Sequence, residues 1–120
     1  MGKKTVIIGA TPDVTRYAYR AAQMLTEYGH EIVPVGMKKG EVFGKTILNN
    51  QPFIENVDTI TMYVGTPNQS NLLVYIINLK PKRIIFNPGT ENDILIALAE
   101  KNNIEPIIGC TLVMLASRTF

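Results

Sequence analysis

The chain is short of the residues that most chemistry needs. Its 120 residues include one cysteine, Cys110, and one histidine, His30. A single cysteine cannot cross-link a fold internally, which excludes a disulfide scaffold. One Cys and one His also give no zinc-type ligand spacing. No apolar run reaches the roughly 18 residues that span a bilayer. Met1-Gly2-Lys3-Lys4 leads straight into an apolar stretch without the pattern of a signal peptide. Val6 stands where a myristoylation signal needs Ser or Thr. The net charge of +2 is too small to mark a nucleic-acid or membrane surface. The Gly-x-Gly-x-x-Gly of dinucleotide sites is missing, and so is a Walker-type Gly-Lys-Ser/Thr. The expected setting is the cytoplasm, with neither nucleic acid nor membrane as partner.

What is present is an ordinary globular composition, 46% hydrophobic and 18% charged. That length suits one domain over residues 1–120. Thr5 to Ile8 is short and continuously apolar, as a parallel strand buried on both faces would be. After a loop led by Gly9, the residues Ala18, Ala21, Ala22 and Leu25 recur at helical spacing until Gly29 stops them. Glu31 to Val35 is a second strand and completes a βαβ unit. Residues 36 to 57, punctuated by Gly36, Gly40, Gly44 and Pro52, predict a loop with one short extended piece near Lys45-Thr46-Ile47. Thr59 to Val64 predicts the third strand and Asn68 to Leu79 a helix that Pro81 cannot continue. Arg83 to Phe86 is the fourth strand. Thr90-Glu91-Asn92-Asp93 resembles a capping box opening the next helix, which runs to Asn102-Asn103. Ile104 to Ile108 is the fifth strand, placed at an edge by Pro106, and Thr111 to Ser117 a last short helix. Strand and helix thus alternate. The expected fold is α/β, a Rossmann-like three-layer sandwich with a parallel five-stranded sheet of order 3-2-1-4-5 and a ligand crevice between strands 1 and 4.

Each expected strand is followed closely by a glycine: Gly9, Gly36, Gly65, Gly89 and Gly109. Four of them have a threonine within two residues: Thr11, Thr66, Thr90 and Thr111. In a parallel sheet these tips share one edge. Glycine admits close backbone approach, and threonine offers a hydroxyl to a ligand or caps the next helix. Turning and capping alone would explain any one pair; the repetition along an edge favours a binding platform. The immediate tips carry no Asp or Glu, while Arg16, Lys38 and Lys39 lie near them. The first loop, Gly9-Ala10-Thr11-Pro12-Asp13, precedes a helix N-terminus, the usual seat of a phosphate, and Arg16 can join its amides. After the second strand the acid that would take the ribose hydroxyls of NAD is absent, and Lys38 and Lys39 follow instead. That charge suits a ribose phosphate, which NADP also carries.

With these residues in hand, the chain resembles the CoA-binding domain family, small Rossmann-like proteins similar to the N-terminal domain of the succinyl-CoA synthetase α subunit. The resemblance lies in Val6-Ile7-Ile8-Gly9-Ala10-Thr11-Pro12 with Arg16 and Tyr19, in Gly29-His30-Glu31-Ile32-Val33-Pro34-Val35, in Phe86-Asn87-Pro88-Gly89-Thr90-Glu91-Asn92 and in Cys110-Thr111-Leu112-Val113-Met114-Leu115. It implies that coenzyme A or an acyl-CoA is the cofactor. Gly9, Ala10, Thr11, Pro12 and Arg16 would meet its phosphates. Val35, Gly36, Lys38 and Lys39 would lie by the adenosine. Tyr63, Val64 and Gly65, with Asn87, Pro88 and Gly89, would border the pantetheine.

Catalysis has little support in the residues. His30 falls at the start of the second strand, opposite the platform, and no carboxylate is clearly placed as a base. Cys110, on the platform edge before a helix, is the one chemical candidate, able to form a mixed disulfide with the cofactor thiol or to sit inert. The reading is therefore a binding module without catalysis of its own. The alternative is an NADP-type oxidoreductase or an acyl-transfer enzyme whose catalytic groups come from a partner. A protein partner or a homo-oligomer is compatible with either.

Overall fold

The computed structural model describes residues 2–120. Five strands form one all-parallel sheet: β1 (Thr5–Ile8), β2 (Ile32–Val35), β5 (Thr59–Met62), β6 (Arg83–Phe86) and β7 (Glu105–Ile108). A small antiparallel hairpin, β3 (Glu41–Val42) and β4 (Lys45–Thr46), interrupts the connection after β2. The helices are α1 (Tyr17–Glu27), α2 (Leu73–Asn78), α3 (Asp93–Lys101) and α4 (Thr111–Ala116).

Successive strand residues face opposite layers. Val6 and Ile8 of β1 pack with Ile76 and Leu79 of the α2 region and with Leu95 and Ala99 of α3. Ile7, between them, packs with Ala18, Ala22 and Leu25 of α1 and with Leu115 of α4. The inner strands β1, β5 and β6 are therefore covered on both faces and wholly buried, while the edge strand β7 is partly exposed. Val6, Ile7, Ile60, Ile84, Ile85 and Phe86 are all fully buried. Val42 and Ile47 extend the α1 layer, and the Phe43 ring lies 5.1 Å from that of Tyr19.

The fold class agrees with the sequence; the strand order does not. The observed order is β2-β1-β5-β6-β7. The strand at Thr59–Met62 lies beside β1, not outside β2, so the chain reverses between β1 and β5 rather than between β1 and β6. The reason is in the segment read as a loop. Leu48 bridges Val35 in parallel, its amide donating to the Pro34 carbonyl while the Gly36 amide donates to the Leu48 carbonyl. The outer side of β2 is thus already occupied, and the next strand must pair on the free side of β1. With Leu48 counted, the order is that of a doubly wound sheet whose third strand has shrunk to one bridge.

Two helix starts also move. Residues 66–68 form a short 3-10 turn and α2 begins only at Leu73. The cap of α3 is Asn92, whose Oδ1 accepts from the Ile94 and Leu95 amides, while the Thr90 hydroxyl donates to the Asn87 carbonyl instead. Pro106 does lie on an edge strand, β7. No helix among the described residues is long and apolar enough to cross a membrane.

Candidate functional site

Because the five strands are parallel, all their C-terminal tips share one edge, and the reversal opens a crevice between β1 and β5. The candidate residues from Gly9 to Cys110 that follow these strands meet along that edge.

Around β1 the loops touch through main chain. Gly9 has φ +94°, and a Cβ there would stand 2.8 Å from the Tyr63 carbonyl oxygen. A Cβ on Gly36 would stand 2.8 Å from the Ala10 carbonyl oxygen. Only glycine fits either place. The Gly9 and Ala10 amides both donate to the Val35 carbonyl, at 2.9 and 3.0 Å. They are consequently taken, and anion-binding amides must come from further along. Among the described residues, the amides of Thr11, Tyr17 and Ala18 have no acceptor. Ala10 and Thr11 are buried; Pro12 and Arg16 are exposed.

Arg16 is the N-cap residue of α1 and its side chain caps nothing; the first turn carries no acid. The positive end of α1 therefore has no capping side chain of its own and lies beside a guanidinium, with Asp13 as the one carboxylate nearby. Asp13 turns its carboxylate back on Thr15, accepting from its amide at 3.0 Å and its hydroxyl at 2.7 Å. These bonds, with the nearby Arg16 and Lys38 charges, hold the Asp13 carboxyl below its ordinary range. Lys38, from the loop after β2, is thus within electrostatic reach of Asp13. Asn49 pins that loop, its Nδ2 donating to the Gly36 carbonyl at 2.6 Å and to the Lys38 carbonyl at 3.1 Å. Lys38 and Lys39 themselves are exposed.

On the β5–β7 side, side chains do the tying. Gln69 is wholly buried; its Nε2 donates to the Val64 and Thr90 carbonyls, each at 2.8 Å, and its Oε1 accepts from Asn92 Nδ2 at 3.0 Å. Asn87 is 2% exposed and bonds only protein groups. The Gly89 amide donates to Glu91 Oε1 at 2.9 Å. The Tyr63 hydroxyl is buried without a partner; that burial, reinforced by Cys110 nearby, pushes its pKa to about 12. Cys110 is half-buried at the N-cap of α4 and bonds nothing through its thiol. Pro88, Gly89 and Gly65 are exposed on the rim, and Val64 is half-buried.

The threonines of the repeated pattern serve the protein. Thr11 Oγ1 accepts from the Asp13 amide, Thr66 donates to the Glu91 carbonyl, Thr90 to the Asn87 carbonyl, and Thr111 pairs with Thr61. Sequence reasoning missed Asn49, Gln69 and the inward role of Asn87. Gln69 did carry one signal, a long polar residue just after a proline-led turn.

His30 lies at the opposite edge. Its Nδ1 accepts from the Lys3 amide at 2.9 Å, and its ring stands 4.8 Å from that of Phe120. Burial, then the Lys3 and Arg83 charges, lowers its pKa. Arg83, the first residue of β6, is buried, with Nε donating to the Thr59 hydroxyl and its guanidinium 4.4 Å from the Phe120 ring centre. Among the described residues no three His, Cys, Asp or Glu side chains come close enough to hold a metal ion.

Solved structures repeat this architecture. A crystal structure of an uncharacterized protein is 59% identical and superposes with a TM-score of 0.98, covering 100% of this chain and 99% of the other. A protein from Thermus thermophilus, 20% identical, gives a TM-score of 0.87 over 99% of this chain and 91% of its own. A hypothetical protein from Pyrococcus horikoshii, also 20% identical, gives 0.85 over 98% and 84%. These last two show the fold alone. No curated protein matches the chain. The model of the CoA binding domain matches residues 3–116, which is nearly everything described here, and the chain accordingly belongs to the CoA-binding domain family.

Proposed function

We propose that the C-terminal edge of the sheet binds coenzyme A or an acyl-CoA, as a small binding module with no reaction of its own. The observation that carries this reading is the uncapped start of α1, where free amides and Arg16 meet at the β1–β5 reversal, with Lys38 within electrostatic reach of the same loop. Such a place favours a polyanion, since helix dipole, amide donors and two cations act in one sense against a single carboxylate, Asp13, which is turned onto Thr15. The diphosphate would take the Thr11, Tyr17 and Ala18 amides with Arg16. Gly9, Ala10 and Pro12 would shape the loop beneath it. The adenosine and its phosphate would lie over Val35 and Gly36, with Lys38 and Lys39 as counter-charges. The pantetheine would cross Tyr63, Val64 and Gly65 toward Pro88, Gly89 and Cys110.

The absence of an acid after β2 argues against NAD, whose ribose hydroxyls need an acceptor there. Thermal shift with CoA, acetyl-CoA, NAD, NADP and ATP tests the reading directly. A ligand at 100 times its Kd adds about 2.7 kcal/mol of stability. CoA or acetyl-CoA is expected to raise the Tm most. A larger shift with NADP would overturn the assignment in favour of a nucleotide-dependent oxidoreductase.

A further inference from the structure

Asn87 ends β6 at the tip of the sheet, in the middle of the β5–β7 half of the edge. Its carboxamide reaches three separate pieces of chain. Nδ2 donates to the Thr61 hydroxyl at 2.7 Å and to the Met62 carbonyl at 2.8 Å, both on β5. Oδ1 accepts the Thr111 amide at 2.8 Å, at the start of α4. The two main-chain partners fix which end of the amide is which, because a carbonyl can only accept and an amide can only donate. Thr61 and Thr111 close the ring through their own hydroxyls, 2.8 Å apart. The Thr90 amide and hydroxyl both donate to the Asn87 carbonyl, at 2.9 and 2.8 Å, fixing the Pro88-Gly89 turn that follows.

No other side chain type meets these demands. Aspartate keeps the shape but loses both donors and sets a carboxylate against the Met62 carbonyl. Leucine leaves the Met62 carbonyl and the Thr111 amide buried and unpaired. Unmet buried groups of this kind cost more than the net worth of the bonds themselves.

We infer that Asn87 is the positioning residue for the pantetheine half of the site: it touches no ligand, and instead sets the distance between the Pro88-Gly89 turn and the Gly109-Cys110 tip. The inference rests on the reading of this edge as a CoA site. Asn87's side-chain partners belong to β5 and to the start of α4, and none belongs to β2 or to the loops after β1 and β2, where the nucleotide would lie. A defect at Asn87 is therefore felt by one end of the cofactor and not by the other.

Two titrations separate the ends, one with CoA and one with adenosine 3′,5′-bisphosphate, which lacks the phosphopantetheine arm. For Asn87→Asp, CoA is expected to bind about tenfold or more weakly, in line with loss of a buried hydrogen-bond set, while the bisphosphate stays within about twofold of wild type. Thr61→Val is the milder variant, removing one acceptor and leaving the Asn87 bonds to Met62 and Thr111 in place; it decides the matter if Asn87→Asp does not fold. It is expected to weaken CoA by about threefold and to spare the bisphosphate. Equal losses for both ligands, or no loss for either, would overturn the inference and leave Asn87 a plain structural residue. A wild-type protein that binds neither ligand would instead overturn the CoA reading itself. In that case hydrogen exchange at the Thr111 amide still reads the network: fast exchange in the variants and slow exchange in wild type is expected, and equal rates would contradict the positioning role.

Discussion

The two halves of the sheet's C-terminal edge are built by different means. Around β1, main chain lies on main chain: Gly36 faces the Ala10 carbonyl and two amides share the Val35 oxygen toward β2, and Gly9 faces the Tyr63 carbonyl toward β5. Charged side chains there, Arg16, Lys38 and Lys39, stand outward in solvent. Between β5 and β7 the reverse holds. Buried amide side chains, Gln69 and Asn87, cross-link the loops from within, and the tip loops 63–72, 87–92 and 109–110 carry no Lys or Arg. The first half can attract an anion and follow its shape with backbone. The second is set in place before any ligand arrives, which suits an uncharged arm recognised by fit. Electrostatic attraction and preorganisation are thus assigned to different strands of one sheet.

That division can be broken from either side. The largest effect is expected from Gln69→Leu, which leaves the Val64 and Thr90 carbonyls without their donor. A stability loss of about 3 kcal/mol is expected in chemical denaturation, with the affinity for adenosine 3′,5′-bisphosphate little changed. Gly9→Ala comes next. A side chain at φ +94° and 2.8 Å from a carbonyl oxygen is expected to cost about 2 kcal/mol of stability, and here nucleotide binding falls as well. A Gln69 variant that lost nucleotide affinity as severely as Gly9→Ala would erase the distinction between the halves.

Arg16→Ala sharpens the comparison without disturbing the fold. It is expected to weaken CoA roughly tenfold, about 1.4 kcal/mol, with the denaturation midpoint unchanged and with the wild-type advantage shrinking as salt is raised. Calorimetry at two ionic strengths checks this; salt-independent affinity would contradict the electrostatic role of the first half.

The smallest effect lies at the far edge. His30 has a folded pKa below its ordinary 6.5, so the unfolded chain takes up its proton first as the pH falls. Stability is therefore complete above about 6.5 and declines as the pH drops from there through the folded pKa. His30→Asn, which keeps an acceptor for the Lys3 amide, is expected to flatten that decline in a Tm-against-pH series and to leave CoA affinity at neutral pH alone.

Much of the architecture was legible because its signals are local. The strands are short runs rich in β-branched and apolar residues, and the Gly9 and Gly29 stops bracket α1. The strand order was not legible, because it turns on Leu48, a single residue in a glycine-broken segment whose pairing depends on where the chain returns. The start of α3 was misplaced by two residues because Thr90 and Asn92 both suit a cap, and only the Asn87 carbonyl decides between them. The candidate site divides in the same way. Glycines at the tips announce themselves, since few alternatives fit there. Asn87 stood out as a rim residue, but its burial and its three partners come from β5 and α4, distant in sequence. Gln69 and Asn49 bond carbonyls, and a carbonyl leaves no mark on the sequence at all.

The central claim is that CoA sits across the β1–β5 reversal, phosphates on the α1 side. Titrating the isotopically labelled protein with CoA and following its amide resonances tests this most directly. The account predicts the largest shifts at Thr11, Tyr17, Ala18 and residues 36–39, with smaller ones at Val64, Gly65 and Gly89. Shifts confined to the opposite edge around His30 and Phe120, or none at millimolar CoA, would contradict it.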